Sequence, residues 1–322
     1  MFRKVFIYSI ALVACIAGNQ PARADTLSIQ NIRIYTRPDL SGDTNTMAIP
    51  FSRAGNLIVV KAEADTIEGN FILDTGAPYL VLNITYFRDY PQKHIDGTEQ
   101  TSMTGSSPSL ARTRIKTFSF GSLSLSALDA DLANLGHIEN SKGVKILGLL
   151  GMELFKQCEL IIDYDRNLIY LHKISRKEAN TYTHELLKDT AAYRSFPIDL
   201  TDNRIMVSTV MAGKKLKFII DCAAESNVLS SKLPEKVFNN VEITGRVMLS
   251  GVGNRKVEAL YGDLKNMKMG NYDLGTLPML ITNLENTCFA YAGCIDGILG
   301  FDFLSLHRVG FNFVKRKMYI WK

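Results

Sequence analysis

The chain has few residues of the kinds that hold metal ions. It contains only five histidines and five cysteines among its 322 residues. The histidines are scattered along the sequence, and no two cysteines have the C-x-x-C spacing typical of zinc ligands. These absences argue against a structural zinc site, and we expect neither a metal nor a cofactor.

An excess of one charge is also lacking. Lys and Arg total 37 against 32 Asp and Glu, a formal charge of +5, and three of the positive charges lie within the first 24 residues, which contain no acid. Without that segment the difference is 34 − 32 = +2, and no long basic run remains. We therefore expect no nucleic-acid partner. An apolar content of 46% with 21% charged residues excludes a disordered chain, a collagen-like repeat and a coiled coil.

Long apolar runs are missing except near the N-terminus. Val5–Ala14 is a mostly apolar stretch that follows a basic start, is too short to span a bilayer, and is typical of an export signal. An A-x-A sequence at 22–24 predicts a signal peptide of residues 1–24. Leu12–Cys15 also resembles a bacterial lipobox, and the alternative is therefore a lipoprotein signal of residues 1–14 with a lipid anchor on Cys15. Both interpretations predict an exported protein without a membrane span: periplasmic, secreted or lipid-anchored.

The other four cysteines fall into two groups. Cys288 and Cys294 flank a short loop-like segment and could close a small disulfide in an oxidising compartment. Cys158 and Cys222 lie in apolar, strand-like runs, which predicts buried thiols.

The chain repeats itself. Asp74 follows the apolar triplet FIL, and Asp221, 147 residues later, follows the triplet FII; each is followed by a second strand-like run. Farther along, the glycine pair Gly148 and Gly151 aligns with Gly297 and Gly300 at an offset of 149. A repeat of this length predicts two homologous structural units.

Each unit is predicted to consist of β-strands. Apolar residues alternate with polar ones over 58–65, and both repeats close with two strand-like runs around a polar turn. Helical periodicity is weak, and is confined mostly to 152–157 and 176–188. The sequence therefore predicts an all-β protein with a first lobe over 25–172, a polar linker over 173–195 and a second lobe over 196–322.

The segment Asp74-Thr75-Gly76-Ala77 carries a specific chemistry. A carboxylate at a sharp turn between two strands projects from the sheet while its backbone is fixed on both sides. Gly76 would allow a backbone conformation and a close approach that a side chain resists, and the Thr75 hydroxyl could tie the turn. The tripeptide alone is a weak signal, but its apolar flanks and its repetition strengthen it.

In these features the chain resembles the aspartic peptidases, of both the retroviral and the pepsin type, over roughly residues 50 to 322. FILDTGA is similar to the family's catalytic loop, and LGLLG and GILG are similar to the glycine motif that packs behind it. The resemblance implies two pepsin-like or retropepsin-like β-barrel lobes with a cleft between them, and a peptide or protein substrate. It implies the catalytic residues Asp74 and Asp221, flap turns near Gly105 and Gly251, and supporting loop residues Thr75, Gly76, Ala77, Cys222 and Ala223.

The second lobe departs from the family pattern. It reads Asp221-Cys222-Ala223-Ala224, and a thiol is a weaker hydrogen-bond donor than the hydroxyl of Thr75. If the loop requires a positive φ at Ala223, that position is strained. Our main hypothesis is an exported aspartic endopeptidase, expected to be a monomer. The alternatives are a peptide-binding protein with impaired catalysis, or a homodimer that is active through Asp74 of each chain.

Overall fold

The structure is a computed structural model, and it describes residues 46–95, 100–102, 105–107, 110–250, 256–285 and 294–322. The predicted export signal, Cys15, Gly251 and Cys288 lie outside the described residues. The described part of the chain is built mainly of β-strands, as the sequence predicts.

The strands of the first half are β1 (Thr46–Pro50), β2 (Ser52–Ala54), β3 (Leu57–Ala64), β4 (Ile67–Leu73), β5 (Val81–Asn83), β6 (Lys93–Ile95), β7 (Gln100–Ser102), β8 (Gly105–Ser107), β9 (Leu110–Phe120), β10 (Leu123–Ala133), β11 (Gly148–Leu150), β12 (Cys158–Asp163) and β13 (Leu168–Lys173). Those of the second half are β14 (Tyr193–Pro197), β15 (Asp199–Thr201), β16 (Arg204–Met211), β17 (Lys214–Ile220), β18 (Val228–Ser230), β19 (Val241–Ser250), β20 (Lys256–Leu264), β21 (Lys268–Met269), β22 (Tyr272–Asp273), β23 (Leu277–Thr282), β24 (Gly297–Leu299), β25 (Val309–Asn312) and β26 (Lys317–Trp321).

The helices are short. They are α1 (Ile84–Phe87), α2 (Gly136–Lys142), α3 (Glu235–Phe238) and α4 (Phe301–Leu304), with 3₁₀ helices at Met152–Phe155 and Glu185–Leu187. The weak helical periodicity over 152–157 and 176–188 thus corresponds to single 3₁₀ turns. Helix α2 has no counterpart in the periodicity of the sequence, and its C-cap is Gly143 with a φ of 65°.

The first lobe is a closed barrel. Its sheet runs β2-β3-β4-β11-β5-β10-β9-β6, and an additional pairing of β3 with β9 joins the sheet to itself. The ring is therefore β3-β4-β11-β5-β10-β9. Closure removes the exposed strand edges that a sheet otherwise presents.

The second lobe repeats the same centre in a more open sheet. Its order is β19-β20-β23-β18-β24-β17-β16-β21-β22, with β15 attached to β16. In both lobes a central short strand runs parallel to the strand before the motif Asp: β11 pairs with β4, and β24 pairs with β17. The same short strand is antiparallel to the strand that follows the motif, β5 or β18. The predicted pair of homologous β lobes is confirmed.

A third sheet joins the two halves of the chain. Its order is β1-β13-β12-β25-β26-β14, so strands from both ends of the described chain alternate with strands from its middle. The central contact is the antiparallel pairing of β12 with β25, in which Ile161 lies opposite Gly310. The lobe boundaries inferred from the sequence stay a prediction, but the two halves share this sheet.

The apolar triplets before the two Asp residues follow from burial on both faces of the sheet. Phe71, Ile72 and Leu73 are all buried, as are their counterparts in β17. A strand covered on both sides reads as a continuous apolar run rather than an alternating one. The triplets therefore place each motif Asp at the end of a strand that runs through the centre of its lobe.

The glycine pairs pack directly behind the loops that carry the two Asp residues. A Cβ on Gly151 would lie 1.9 Å from the carbonyl oxygen of Tyr79, and one on Gly300 would lie 2.5 Å from that of Ala224. The backbone N–H of Met152 donates to Ala77 O at 2.8 Å, and that of Phe301 donates to Ala224 O at 2.8 Å. These glycines are required for close approach of two backbones.

The cysteine predictions are answered in part. Cys158 and Cys222 are free and buried, as expected. Cys294 is disulfide-bonded. Within the described ranges, no helix is long and apolar enough to cross a membrane.

We expect Gly151→Ala to lower the free energy of unfolding by roughly 2–3 kcal/mol, because the added methyl group would collide with backbone atoms that cannot rotate away. Gly245→Ala is the matched control: it lies within a strand, and the nearest atom to an added Cβ is 4.0 Å away. Urea unfolding of both variants measures the difference. Equal effects would show that the close approach at Gly151 is unimportant.

Candidate active site

The two motif Asp residues are held in equivalent ways by their lobes. Each stands immediately after the central strand, and its N–H bonds to the short parallel strand: Asp74 N to Leu150 O at 3.1 Å, and Asp221 N to Leu299 O at 3.0 Å. Each carboxyl accepts N–H groups of its own loop. Gly76 N and Ala77 N both lie 2.9 Å from Asp74 Oδ1, and Ala223 N lies 2.9 Å from Asp221 Oδ1.

The structure brings the two carboxyl groups together in one buried place. Asp74 is 0% exposed and Asp221 is 2% exposed. A Cβ on Gly76 would lie 2.4 Å from Asp221 Oδ2 and 2.6 Å from its Cγ. Gly76 is not among the described residues with positive φ, so its role is space alone: it lets the carboxyl of the second lobe rest against the loop of the first.

The pair is arranged to share one proton. Asp74 Oδ2 is buried and has no hydrogen-bond partner among the described residues, and the Asp221 carboxyl lies against the adjacent Gly76. Two carboxyl groups can bond to each other only when one of them carries a proton. The geometry therefore favours a singly ionised pair.

Burial is the main cause of the altered pKa values. It raises the pKa of Asp74 well above its usual range, and the neighbouring Asp221 raises it further, against the lowering effect of the Ala77 and Gly76 N–H groups and of Arg204. Burial also raises the pKa of Asp221, against the loop N–H groups, Arg204 and the hydrogen bond with Asp74. Burial therefore makes the pair hold a proton at a higher pH than a free Asp would.

Reciprocal hydrogen bonds tie the two loops to each other. The Thr75 hydroxyl donates to Ile220 O at 3.0 Å and accepts the Cys222 N–H at 3.0 Å. In the opposite direction the Cys222 thiol donates to Leu73 O at 3.1 Å. Burial raises the pKa of Cys222, so its thiol stays protonated and able to donate. The sequence predicted that Cys in place of Thr would impair the hydrogen bond between the loops. Both lobes make this bond, and the second lobe makes it with the weaker donor, the Cys222 thiol.

The strain considered for Ala223 is absent. Ala223 is not among the described residues with positive φ, and its methyl group is buried in an apolar cluster with first-lobe side chains such as Leu57 and Ile72. The second-lobe loop therefore keeps its shape without a glycine.

The flap prediction is only partly within the described residues. Gly105 begins β8, which pairs with β7 in an antiparallel two-stranded sheet with Ser102 opposite Gly105. In the second lobe, β19 and β20 pair as far as Ser250 opposite Lys256, and Gly251 lies outside the described residues.

Comparison with known proteins identifies the family. A family model described as "Aspartyl protease" matches residues 60–154 and 207–303, more than half of the chain and once in each lobe. The chain belongs to the aspartyl protease family. No curated protein sequence matches it.

Two solved structures match this member of the aspartyl protease family at low sequence identity. The aspartic proteinase from Irpex lacteus is 13% identical, with 86% of this chain and 97% of that chain covered and a TM-score of 0.47. Conglutin gamma, a basic 7S globulin from lupine seeds, is 11% identical, with 87% and 95% covered and a TM-score of 0.47.

Sequence reasoning missed the residues that clamp each loop from the opposite lobe. Asn203 Nδ2 donates to Pro78 O at 3.3 Å, and Asn56 Nδ2 donates to Glu225 O at 3.4 Å. Both the donors and the acceptors are 147 residues apart, the offset of the two Asp residues. That shared offset is the signal that could have found them.

We expect Thr75→Val to lower the free energy of unfolding by roughly 2 kcal/mol or more, because it removes the hydroxyl that accepts the buried Cys222 N–H and donates to Ile220 O. Thr209→Val is the matched control. Thr209 is also buried, and its hydroxyl has no hydrogen-bond partner among the described residues. The control should be neutral or stabilising in urea unfolding, and a similar loss in both variants would contradict the importance of the Thr75 bonds.

Proposed function

We propose that this chain is an exported aspartic endopeptidase that hydrolyses peptide bonds with Asp74 and Asp221 acting as one unit. The observation that supports it is the meeting of the two buried carboxyl groups at Gly76, whose Cα leaves no room for a methyl group beside Asp221. The substrate is a peptide or protein, as the family implies. Export is inferred from the signal-like residues 1–24.

The proposed reaction needs no covalent intermediate. The ionised carboxyl of the pair takes a proton from water as the water oxygen attacks the peptide carbonyl. The protonated carboxyl donates to the developing oxyanion, and the two groups then exchange roles as the amine leaves. The apparent pKa values of such a reaction belong to the pair and not to either residue.

Both motif Asp residues of one chain meet at Gly76, and this bears on the dimeric alternative. A homodimer would bring Asp74 of a second chain to the place beside Gly76. Asp221 already occupies that place, with its carboxyl against the Gly76 backbone. We therefore favour an active monomer.

We expect Asp74→Asn and Asp221→Asn each to reduce peptide cleavage by roughly 10³-fold or more while leaving the protein folded, since each removes half of one catalytic unit. The assay is digestion of an unbiased peptide library by purified mature protein, read by mass spectrometry. Asp129→Asn is the control, because it removes an exposed carboxylate paired with Arg114.

Three outcomes separate the hypotheses. Cleavage retained in a folded Asp74→Asn protein would rule out the aspartic mechanism. Cleavage lost in Asp74→Asn but kept in Asp221→Asn, with activity rising as the square of protein concentration, would favour the dimer. Tight peptide binding with no cleavage by the wild type would identify a binding protein.

We expect a bell-shaped pH dependence that extends toward neutral pH. Activity requires one proton on the pair, so it is lost when both carboxyls are protonated and when both are ionised. Because burial raises the pKa of both Asp74 and Asp221, the proton is retained at higher pH than on a free Asp. A profile of kcat/KM against pH measures this, and activity confined below about pH 4 would contradict it.

A further inference from the structure

The two lobes present equivalent turns to each other's loops, with one unequal residue. Asn56 and Asn203 occupy matching positions and make matching amide bonds across the lobe boundary. The next residue is Leu57 in the first lobe and Arg204 in the second. An apolar side chain and a cation thus occupy corresponding places on opposite sides of the carboxyl pair.

Both side chains are buried, but they meet different loops. Leu57 is 0% exposed and lies in the apolar cluster that contains the Ala223 methyl group. Arg204 is 1% exposed, and its Nε donates to Gly76 O at 2.9 Å. The two differences between the lobes are therefore paired. Leu57 of the first lobe packs with the Ala223 methyl group of the second-lobe loop. Arg204 of the second lobe contacts the first-lobe loop at Gly76, which has no methyl group.

A buried guanidinium requires a nearby negative charge, since a desolvated and uncompensated cation is strongly destabilising. The charge of Arg204 acts on both Asp74 and Asp221. Among the described residues, the Cys222 thiol also acts on both carboxyls and the Tyr164 phenol acts on Asp221. Burial raises the pKa of both, so they remain neutral, and Arg53 acts on Tyr164.

We propose that Arg204 is a positioning residue of the carboxyl pair: its Nε–H holds the Gly76 peptide in place, and its positive charge stabilises the singly ionised pair over the fully protonated one. The proposal deepens the proposed function and, in its activity arm, rests on it. Removing the charge should move both limbs of the pH–activity profile to higher pH, by roughly one unit.

The test compares three full-length variants. Arg204→Gln keeps an N–H donor for Gly76 O without the charge, Arg204→Met fills the space without charge or donor, and Arg204→Lys keeps the charge. We expect the midpoints of kcat/KM against pH to rise by roughly one unit in the two uncharged variants and to stay near the wild-type values in Arg204→Lys.

A second measurement does not need activity. Because the native pair binds protons more tightly than the unfolded chain, its contribution to stability is complete below the ordinary Asp pKa of 3.8 and is lost as pH rises through the higher native values. In Arg204→Gln this loss should extend to higher pH than in the wild type, and Asp74→Asn should remove the Asp74 part of it. Urea unfolding as a function of pH measures both.

The outcomes are distinct. A shifted stability profile without any peptide cleavage would support the role of Arg204 and reject the peptidase. Unshifted activity and stability profiles in a folded Arg204→Gln protein would overturn the proposal. Equal shifts in Arg204→Lys and Arg204→Gln would also overturn it, because the charge would not be the cause. If both uncharged variants fail to fold and Arg204→Lys folds, Arg204 is a residue of the fold, and the assignment is rejected.

Discussion

The burial of two carboxyl groups against each other is the constraint on which the rest of this structure depends. Two acids removed from water repel when both are ionised, and they are stable together when they share one proton and the remaining charge is met by hydrogen-bond donors. The loop N–H groups of each lobe, the Thr75 and Cys222 ties across the boundary, and the Asn56 and Asn203 clamps all serve that end. The two lobes support their Asp residues with equivalent contacts, such as Asp74 N to Leu150 O and Asp221 N to Leu299 O.

The internal symmetry explains how much could be predicted from the sequence. The sequence shows Asp74, Asp221 and the two glycine motifs because each lobe places them in the same strand environment. The apolar triplet before each Asp is also easy to recognise, because its strand is buried on both faces. Two features could not be predicted from the sequence. The first lobe is closed and the second is open because β3 pairs with β9, and that pairing depends on tertiary packing rather than on periodicity. Helix α2 and its end at Gly143 also depend on tertiary packing.

The residues that differ between the lobes were harder to interpret. Compared with Gly76 alone, Ala223 suggests an impaired loop. It becomes intelligible only beside its partner across the boundary, because the methyl group packs with Leu57 while the free space at Gly76 receives the Asp221 carboxyl, and the Gly76 carbonyl receives Arg204. Where the two copies of a repeat differ, each residue should therefore be compared with the residue that it contacts in the other lobe. Comparison with its aligned counterpart alone is not enough.

The shared six-stranded sheet has a consequence for how the chain acquires its shape. Strand β12 pairs with β25, in which Ile161 lies opposite Gly310, 149 residues farther along the chain. Strand β1 pairs with β13 across more than 100 residues. Contacts of such long sequence separation carry a large loop-closure entropy cost and slow folding. Asp74 and Asp221, 147 residues apart, belong to the two halves of the chain that this sheet joins. The carboxyl pair therefore depends on contacts between the halves, and neither half alone can form it.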